Sequence, residues 1–406
     1  MKKRCFRSTL LSVIATILCV YGQLVLAETM DAKQVLAERF VEHFNARDHK
    51  QLDSLFDTDA FCDRVARRMH SNAPQQALFK MRTCGVYKQR SFSNMLFAQA
   101  YATNPVAKYI GQTNQGRPVI RFVIGGGGYE YLELVIIESE LADESTLYIQ
   151  DLIFASKGQP HSKSTAMTMG LFGDVSESTL KRLLGISEID KNVLEVFTKM
   201  AAAASSGDFA KALQLLDTLP KKIKTTKIIL LVRAGYAMQV DEALYGEALS
   251  ELNQYHGDDP TLSFALLDHH FYQEDYDKAY AAVESMLRRY GTDASILNLE
   301  ANVLSVLGRI DEAFVAIDAA LEMEPELVDL YTTKMYLLTF DERHQDMRSL
   351  IKLADQRELA GHLATTLSDS VFDGFRASEA YEDWIDGAVY GLSLIHISEP
   401  TRLDHI

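Results

Sequence analysis

Cysteine is scarce in this sequence. There are four among 406 residues, and Cys5 and Cys19 fall within the first twenty. Past that stretch only Cys62 and Cys84 remain. Two cysteines without nearby histidines lack the four ligands of a tetrahedral metal site, so no metal is expected. In an oxidising compartment the two can pair, but spacing alone does not decide whether they do. Long apolar runs are also missing after the first thirty residues, which excludes a membrane-spanning helix there. No GKS or GKT follows the one glycine-rich run, and no nucleophile triad, metal set or cofactor motif stands out. No cofactor is therefore expected. Positive charge is in deficit as well, with 41 Lys and Arg against 56 Asp and Glu.

The two ends do not read as parts of the fold. Lys2, Lys3, Arg4 and Arg7 precede an apolar run from Leu10 to Leu26, and Val25 and Ala27 suit small-residue cleavage. Residues 1–27 are thus expected to be a secretory signal peptide, with export to the periplasm or cell envelope. An uncleaved anchor and a lipoprotein at Cys19 are the rival readings. The stretch LSLIHISEPTR (Leu392 to Arg402) resembles the translation of an adapter used in sequencing libraries, so residues 392–406 are set aside as a scar. Without both ends, 36 basic side chains face 54 acidic ones, a net charge of −18. Such a surface repels phosphate backbones and makes nucleic acid a poor partner.

Length argues for two domains. Val35, Leu36, Phe40, Val41 and Phe44 fall on one helical face. Short helices follow through KQLDSLF and AFCDRVARRM, the latter capped by Asp59. Then the period changes to that of strands. VAKYIGQT, PVIRFVI, YEYLELVIIE and TLYIQDLIFAS are separated by turn signals and predict a four-stranded antiparallel meander. Alternation puts Ile120, Phe122 and Ile124 on one face, and Leu132, Leu134 and Ile136 on another. Gly125 to Gly128 join two of these runs. A phosphate loop would feed a helix N-terminus, whereas these glycines feed a strand, so they are expected to turn a hairpin.

Three residues are candidates for a pocket in this domain. Asp151 shares an alternation face with Ile149 and Ile153. Turned inward, it would be a buried carboxylate able to act as a base; the plainer reading is a structural Asp bonded to backbone. Glu133 and Tyr131 share a face on the neighbouring run and are expected either to line the same cavity or to form a solvated strand face. With FVEHFNARDHKQLDSLF, GYEYLEL and LYIQDLIFASKGQ, residues 28–158 resemble the nuclear transport factor 2-like family of cone-shaped α+β domains. The resemblance implies a curved sheet wrapped on helices around a pocket. Some members are isomerases, dehydratases or cyclases, and many only bind ligands or partners.

Residues 159–190 read as a boundary, opening on SKGQPHSKST; the methionines of AMTMGLF suit helix packing. From about Lys191 the chain repeats. Leu249, Val283, Ile317 and Ile351 recur every 34 residues, as do Leu252, Met286, Ala320 and Ala354. The clearest unit, Ala294 to Pro325, carries Leu297, Ala301, Leu304, Gly308, Ala313, Ile317, Ala320 and Pro325. This period and pattern resemble tetratricopeptide repeats and imply an all-α solenoid of about five helix pairs over residues 191–391. In that family the first helix of each pair lines a concave groove. Carried onto this chain, the groove positions are Phe264 and Asp268, Asn298 and Asn302, Thr332 and Tyr336. Amides there can hold an extended peptide backbone, and aromatics its side chains; a solvated concave face without a ligand is the alternative. Adjacent His269 and His270 diverge around a helix, which disfavours a shared metal.

Two functional readings follow. One is an exported, non-enzymatic scaffold that binds a protein or peptide through the groove. The other is a catalytic or small-ligand-binding cone domain with the solenoid as adaptor. The lining of the cone discriminates between them: an open pocket holding Asp151 favours the second, and a filling of aromatic side chains the first.

Overall fold

The computed structural model describes residues 31–390, apart from 103, 125–127, 140–145 and 173–176. The expected signal peptide and the adapter-like tail lie outside the described residues, as do three of the four glycines.

Six helices open the fold: α1 (Ala32–Asn45), α2 (His49–Ser54), α3 (Thr58–Met69), α4 (Ala73–Phe79), α5 (Gly85–Gln89) and α6 (Phe92–Ala102). Aspartate side chains cap the first three. Asp31, Asp48 and Asp57 accept hydrogen bonds from the backbone N–H groups of Lys33, Gln51 and Ala60. Cys62 on α3 is joined by a disulfide to Cys84, which ends a short π-helical turn, Lys80–Cys84. The link ties α3 to the segment before α5, a pairing that spacing left open.

The sheet is a five-stranded antiparallel meander, β1 (Val106–Gln112), β2 (Pro118–Val123), β3 (Tyr129–Ser139), β4 (Thr146–Phe154) and β5 (Gln159–Pro160), in that spatial order. The fifth strand was not expected. It exists because Gly158, at φ +55°, turns the chain back so that Gln159 and Pro160 pair with Phe154 and Ile153. The run around the four glycines joins β2 to β3, which pair from Val123 opposite Tyr129 onward, and the Ile124 N–H donates to the Gly128 carbonyl.

Register corrects two expectations about faces. Ile120 lies opposite Leu132, so Ile120, Phe122, Leu132 and Leu134 share one face rather than two. That face packs on α1, α2, α3 and α6 through Leu36, Phe40, Phe44, Leu52, Phe61 and Phe97. Asp151 and Ile149 do not share a face. A bulge sets Val135 opposite Asp151 and Ile136 opposite Ile149, and Gln150 is the extra residue. Period-two counting fails at one inserted residue.

The rest is helical. α7 (His161–Phe172) and α8 (Glu177–Leu184) occupy the expected boundary, and they are packed rather than loose. Ala166 of α7 joins the sheet–helix core, while Met167, Leu180 and Leu184 join the core of the next helices. Five helix pairs follow: α9 (Lys191–Ser205) with α10 (Phe209–Asp217); then, after the short α11 (Lys221–Lys224), α12 (Lys227–Met238) with α13 (Glu242–His256); α14 (Ser263–Tyr272) with α15 (Tyr276–Tyr290); α16 (Ala294–Val306) with α17 (Ile310–Met323); and α18 (Val328–Phe340) with α19 (His344–Gln356). Three more helices end the described chain, α20 (Ala360–Leu367), α21 (Asp373–Arg376) and α22 (Glu379–Tyr390). The second helices of the last four pairs start at 242, 276, 310 and 344, a constant step of 34. Leu249, Val283, Ile317 and Ile351 are all buried, as are Leu252, Met286, Ala320 and Ala354. In the last three pairs the turn inside the pair carries a left-handed residue at the same place. Gly308 supplies it at φ +73°, and Glu274 and Glu342 hold the same place at +53° and +52°. Among the described residues no helix is long and apolar enough to cross a membrane.

The two halves touch at Gly158. Lys227 Nζ donates to the Gly158 carbonyl at 3.3 Å, to Asp259 at 2.7 Å and to Thr261 Oγ1 at 2.7 Å. A Cβ at Gly158 would meet the Thr261 carbonyl oxygen well inside contact distance, on a backbone already left-handed. Gly158→Ala is therefore expected to destabilise the protein by about 1–3 kcal/mol, from the left-handed penalty plus displacement of Thr261. Denaturant midpoints of the two proteins measure it, and equal midpoints would show that the contact yields freely.

Candidate functional site

The sheet face away from the N-terminal helices is not solvated. Its residues Val119, Tyr131 and Ala155 belong to one apolar cluster with Leu267, Val283, Met286, Tyr290, Ile296 and Val303 of α14, α15 and α16. Tyr131 stacks on Tyr290, ring centroids 5.1 Å apart, and meets Phe264 edge-on. Its hydroxyl donates to Asp293 at 2.8 Å. Burial, and then the Asp293 charge, push that hydroxyl well above its ordinary pKa, so it stays a donor. Glu133 is equally enclosed, between Arg117 at 2.9 Å and Arg289 at 2.6 Å. Neither the cavity nor the solvated face expected for Tyr131 and Glu133 is what surrounds them. They are interface residues.

Arg121 lies at the centre of this interface and is 2 % exposed. It holds Glu324 by two hydrogen bonds, 2.9 and 2.6 Å, and Asp293 by one of 2.7 Å. Asp293 caps α16, accepting from the Ser295 N–H, and Glu324 ends α17. Lys108 of β1 adds a second cation at 2.8 Å from Glu324. Burial alone would raise the Glu324 pKa; the hydrogen bonds from Arg121 and Lys108 outweigh it and hold the carboxyl below its ordinary value.

The helix side of the sheet, where the cone pocket was expected, is filled by aromatic rings. Phe44 lies 5.2 Å from Phe97 and 4.8 Å from Phe122, and Phe40 lies 5.8 Å from Phe97. Asp151 is 2 % exposed and fully engaged. It accepts from the Ser162 N–H at 2.9 Å, the Ser162 hydroxyl at 2.5 Å and the Leu152 N–H at 2.9 Å. Ser162 is the second residue of α7, so Asp151 caps that helix from a strand.

The candidate groove positions come together differently. Phe264, Asp268, Asn298, Asn302 and Thr332 line one cavity of about 530 Å³ with Gly128, Tyr129, Leu267, Leu299, Asp329 and Thr333. Tyr336 is not among them; it packs on Phe372, centroids 5.1 Å apart. The β2–β3 hairpin forms one wall. Tyr129 donates its hydroxyl proton to Asp329 at 3.1 Å and accepts from Asn298 Nδ2 at 3.3 Å. Burial, and then the Asp329 charge, raise the Tyr129 pKa, so this hydroxyl also stays protonated. Asn298 is consequently 5 % exposed rather than open. Asn302 is half-buried, with one long bond of 3.5 Å to Thr333. Sequence reasoning missed Asp329 and Tyr129. Asp329 was accessible, since 329, 332 and 336 share a helical face. Tyr129 was not, because no local pattern says which element a hairpin touches.

A larger cavity, about 720 Å³, lies between the end of α13 and the α14–α15 pair and is lined by His256, Asp259, His270 and Lys278 among others. It holds none of the candidate residues. The rings of His269 and His270 lie 5.3 Å apart at 62°, both buried, and burial lowers both pKa values. Among the described residues no cluster of three or more His, Cys, Asp or Glu could hold a metal ion. No protein-family model matches the chain, and no curated protein shows significant similarity to it.

Two outcomes test the interface. Arg121→Ala leaves Asp293 and Glu324 enclosed without their main cation and is expected to cost about 3–5 kcal/mol; a loss below about 1 kcal/mol would mean that water reaches the acids. In the wild type, Glu324 has a folded pKa below its unfolded value of about 4.3. Its stabilisation is therefore present above that pH and is lost as pH falls through the lower folded value. Unfolding free energies at pH 6 and at acid pH should differ less in Glu324→Gln than in the wild type; parallel pH profiles would remove Glu324 from the acid response.

Proposed function

We propose that the chain is an exported, non-catalytic binding protein that holds a short extended segment of a protein or peptide partner in the cavity between solenoid and hairpin. Five of the six groove positions that the tetratricopeptide resemblance implies line that one cavity, and this coincidence carries the reading. In this reading the helix pairs are tetratricopeptide-type repeats and the sheet half is a nuclear transport factor 2-like domain put to structural use. Export rests on the N-terminal sequence, and the Cys62–Cys84 link suits an oxidising compartment.

The catalytic alternative fits less well. Aromatic rings occupy the place of a substrate pocket, and Asp151 spends its carboxylate on the end of α7. The hairpin also limits the ligand. With Tyr129 bonded to Asn298 and Asp329, a partner reaches Asp268, Asn302 and Thr332 but not the full row of groove positions.

Asn302→Ala is expected to weaken partner binding by roughly 1–3 kcal/mol, the worth of a hydrogen bond to a peptide group that becomes buried. Stability should move by no more than about 0.5 kcal/mol, because the residue is half-buried and weakly bonded. Pull-down from an envelope extract with wild type and variant measures the first effect, and thermal unfolding the second. Identical partners and yields would exclude the groove as the contact surface.

A further inference from the structure

Positive charge is segregated in this chain. Between Asp63 and Glu130 the sequence holds ten Lys and Arg and no Asp or Glu, in a chain whose net charge is −15. Three of the ten serve the interface between the sheet and the C-terminal helices: Lys108 and Arg121 meet Glu324, and Arg117 meets Glu133. The other seven fall between the middle of α3 and the start of α6. Of these, Lys80 is paired with Asp63 of α3. Arg67, Arg82 and Arg90 are exposed, and among the described residues none of the three pairs with an acid.

A second observation is independent of charge. α4, the π-helical turn and α5 follow one another without a break and form one rod, Ala73 to Gln89. Its inner side is fixed: Phe79 and Tyr87 pack on the sheet–helix core, and the disulfide holds Cys84 to α3. Its outer side is apolar. Met81 is 76 % exposed, and Leu78 and Val86 are 44 % and 40 % exposed. Isolated exposed apolar side chains are ordinary, whereas three along the outer side of one rod are not. A helix side that only met water would carry polar residues there. The free arginines border this rod. Arg82 belongs to it and Arg90 follows its last residue. Arg67 lies one turn beyond Asp63, the residue that holds Lys80 of the rod.

We infer that this face docks on an anionic lipid surface, with Leu78, Met81 and Val86 at the boundary of headgroups and acyl chains and Arg67, Arg82 and Arg90 among the headgroup phosphates. A helix that lies in a membrane interface needs both features, an apolar side and flanking Arg or Lys. Anionic headgroups attract basic side chains within about a Debye length and repel the acid-rich remainder of the chain, so this face is the one that approaches. Nucleic acid or an acidic polypeptide would satisfy the arginines but leave the apolar side chains in water. The inference does not depend on the groove reading above.

Vesicle sedimentation tests this on the chain from Glu28, which keeps every described residue and omits the apolar run Leu10 to Leu26, which would itself insert. Vesicles of phosphatidylglycerol mixed with phosphatidylcholine are expected to carry the protein down, and vesicles of phosphatidylcholine alone to bind it roughly tenfold more weakly or not at all. The double variant Arg67→Glu, Arg82→Glu should lose roughly tenfold on the anionic vesicles, and Leu78→Asp, Met81→Asp a similar factor. All four side chains are exposed or border solvent, so melting temperatures should match the wild type. The chain has one tryptophan, Trp384. In Met81→Trp the added emission should therefore move to the blue with anionic vesicles and stay unshifted with neutral ones. No binding by the wild type, equal binding to both kinds of vesicle, or unchanged binding by either double variant would overturn the inference. Binding to polyglutamate without binding to vesicles would overturn it as well and assign the face to an acidic polypeptide. The comparison of the two kinds of vesicle is made on the wild type, so it holds even if a variant fails to fold.

Discussion

A guanidinium group with 2 % of its surface exposed is expensive unless its charge is paired, and the placement of the sheet on the C-terminal helices answers to that requirement: both terminal nitrogens of Arg121 meet carboxylates, and Nε alone has no partner among the described residues. Arg121 can stay on β2 only if Asp293 and Glu324 come within hydrogen-bond reach together. Those acids end α17 and begin the preceding α16, so satisfying Arg121 fixes the sheet against two helix termini at once. Glu324 needs the arrangement as much as Arg121 does. A carboxylate at a helix C-terminus faces the negative end of the dipole, and Arg121 with Lys108 offsets that. The apolar cluster of Tyr131, Tyr290 and Val283 supplies area, whereas the ion cluster supplies position.

The cavity is a consequence of that position. Once β2 and β3 lie across α16, their hairpin comes within reach of α16 and α18, and Tyr129 bridges Asn298 and Asp329. An open concave face would offer every repeat the same surface. Here one end of the face is closed by a strand pair, and what remains is a bounded space.

The 34-residue period was legible because helix pairs must bury the same positions in every unit; Leu249, Val283, Ile317 and Ile351 are buried as that logic requires. The meander was legible from alternation and turn chemistry. Its faces were less so. A single bulge at Gln150 separates Asp151 from Ile149, and nothing in the residues marks the insertion. The covering of the outer face was hidden for a different reason. Alternation tells which residues point the same way but not what lies opposite them, and Tyr131 and Asp293 are 162 residues apart. One clue was available in β2, whose Val-Ile-Arg-Phe-Val is apolar on both faces apart from Arg121, the pattern of a strand buried on both sides.

The same reasoning explains why a repeat pattern overstates the groove. Phe264, Asn298 and Thr332 are equivalent by period, and a row of identical helix pairs considered alone would expose them equally. The sheet breaks that equivalence. It lies over α16, so Asn298 becomes a partner of Tyr129 and is lost to solvent, while Asn302, one turn along the same helix, remains half-open. Tyr336 leaves the row for the opposite reason, because the helices that follow α19 bring Phe372 against it. Sites in such a chain are therefore set by where non-repeating elements cross the repeating ones. In this molecule that crossing is the hairpin at Tyr129, and the residues left accessible beside it are Asp268, Asn302 and Thr332.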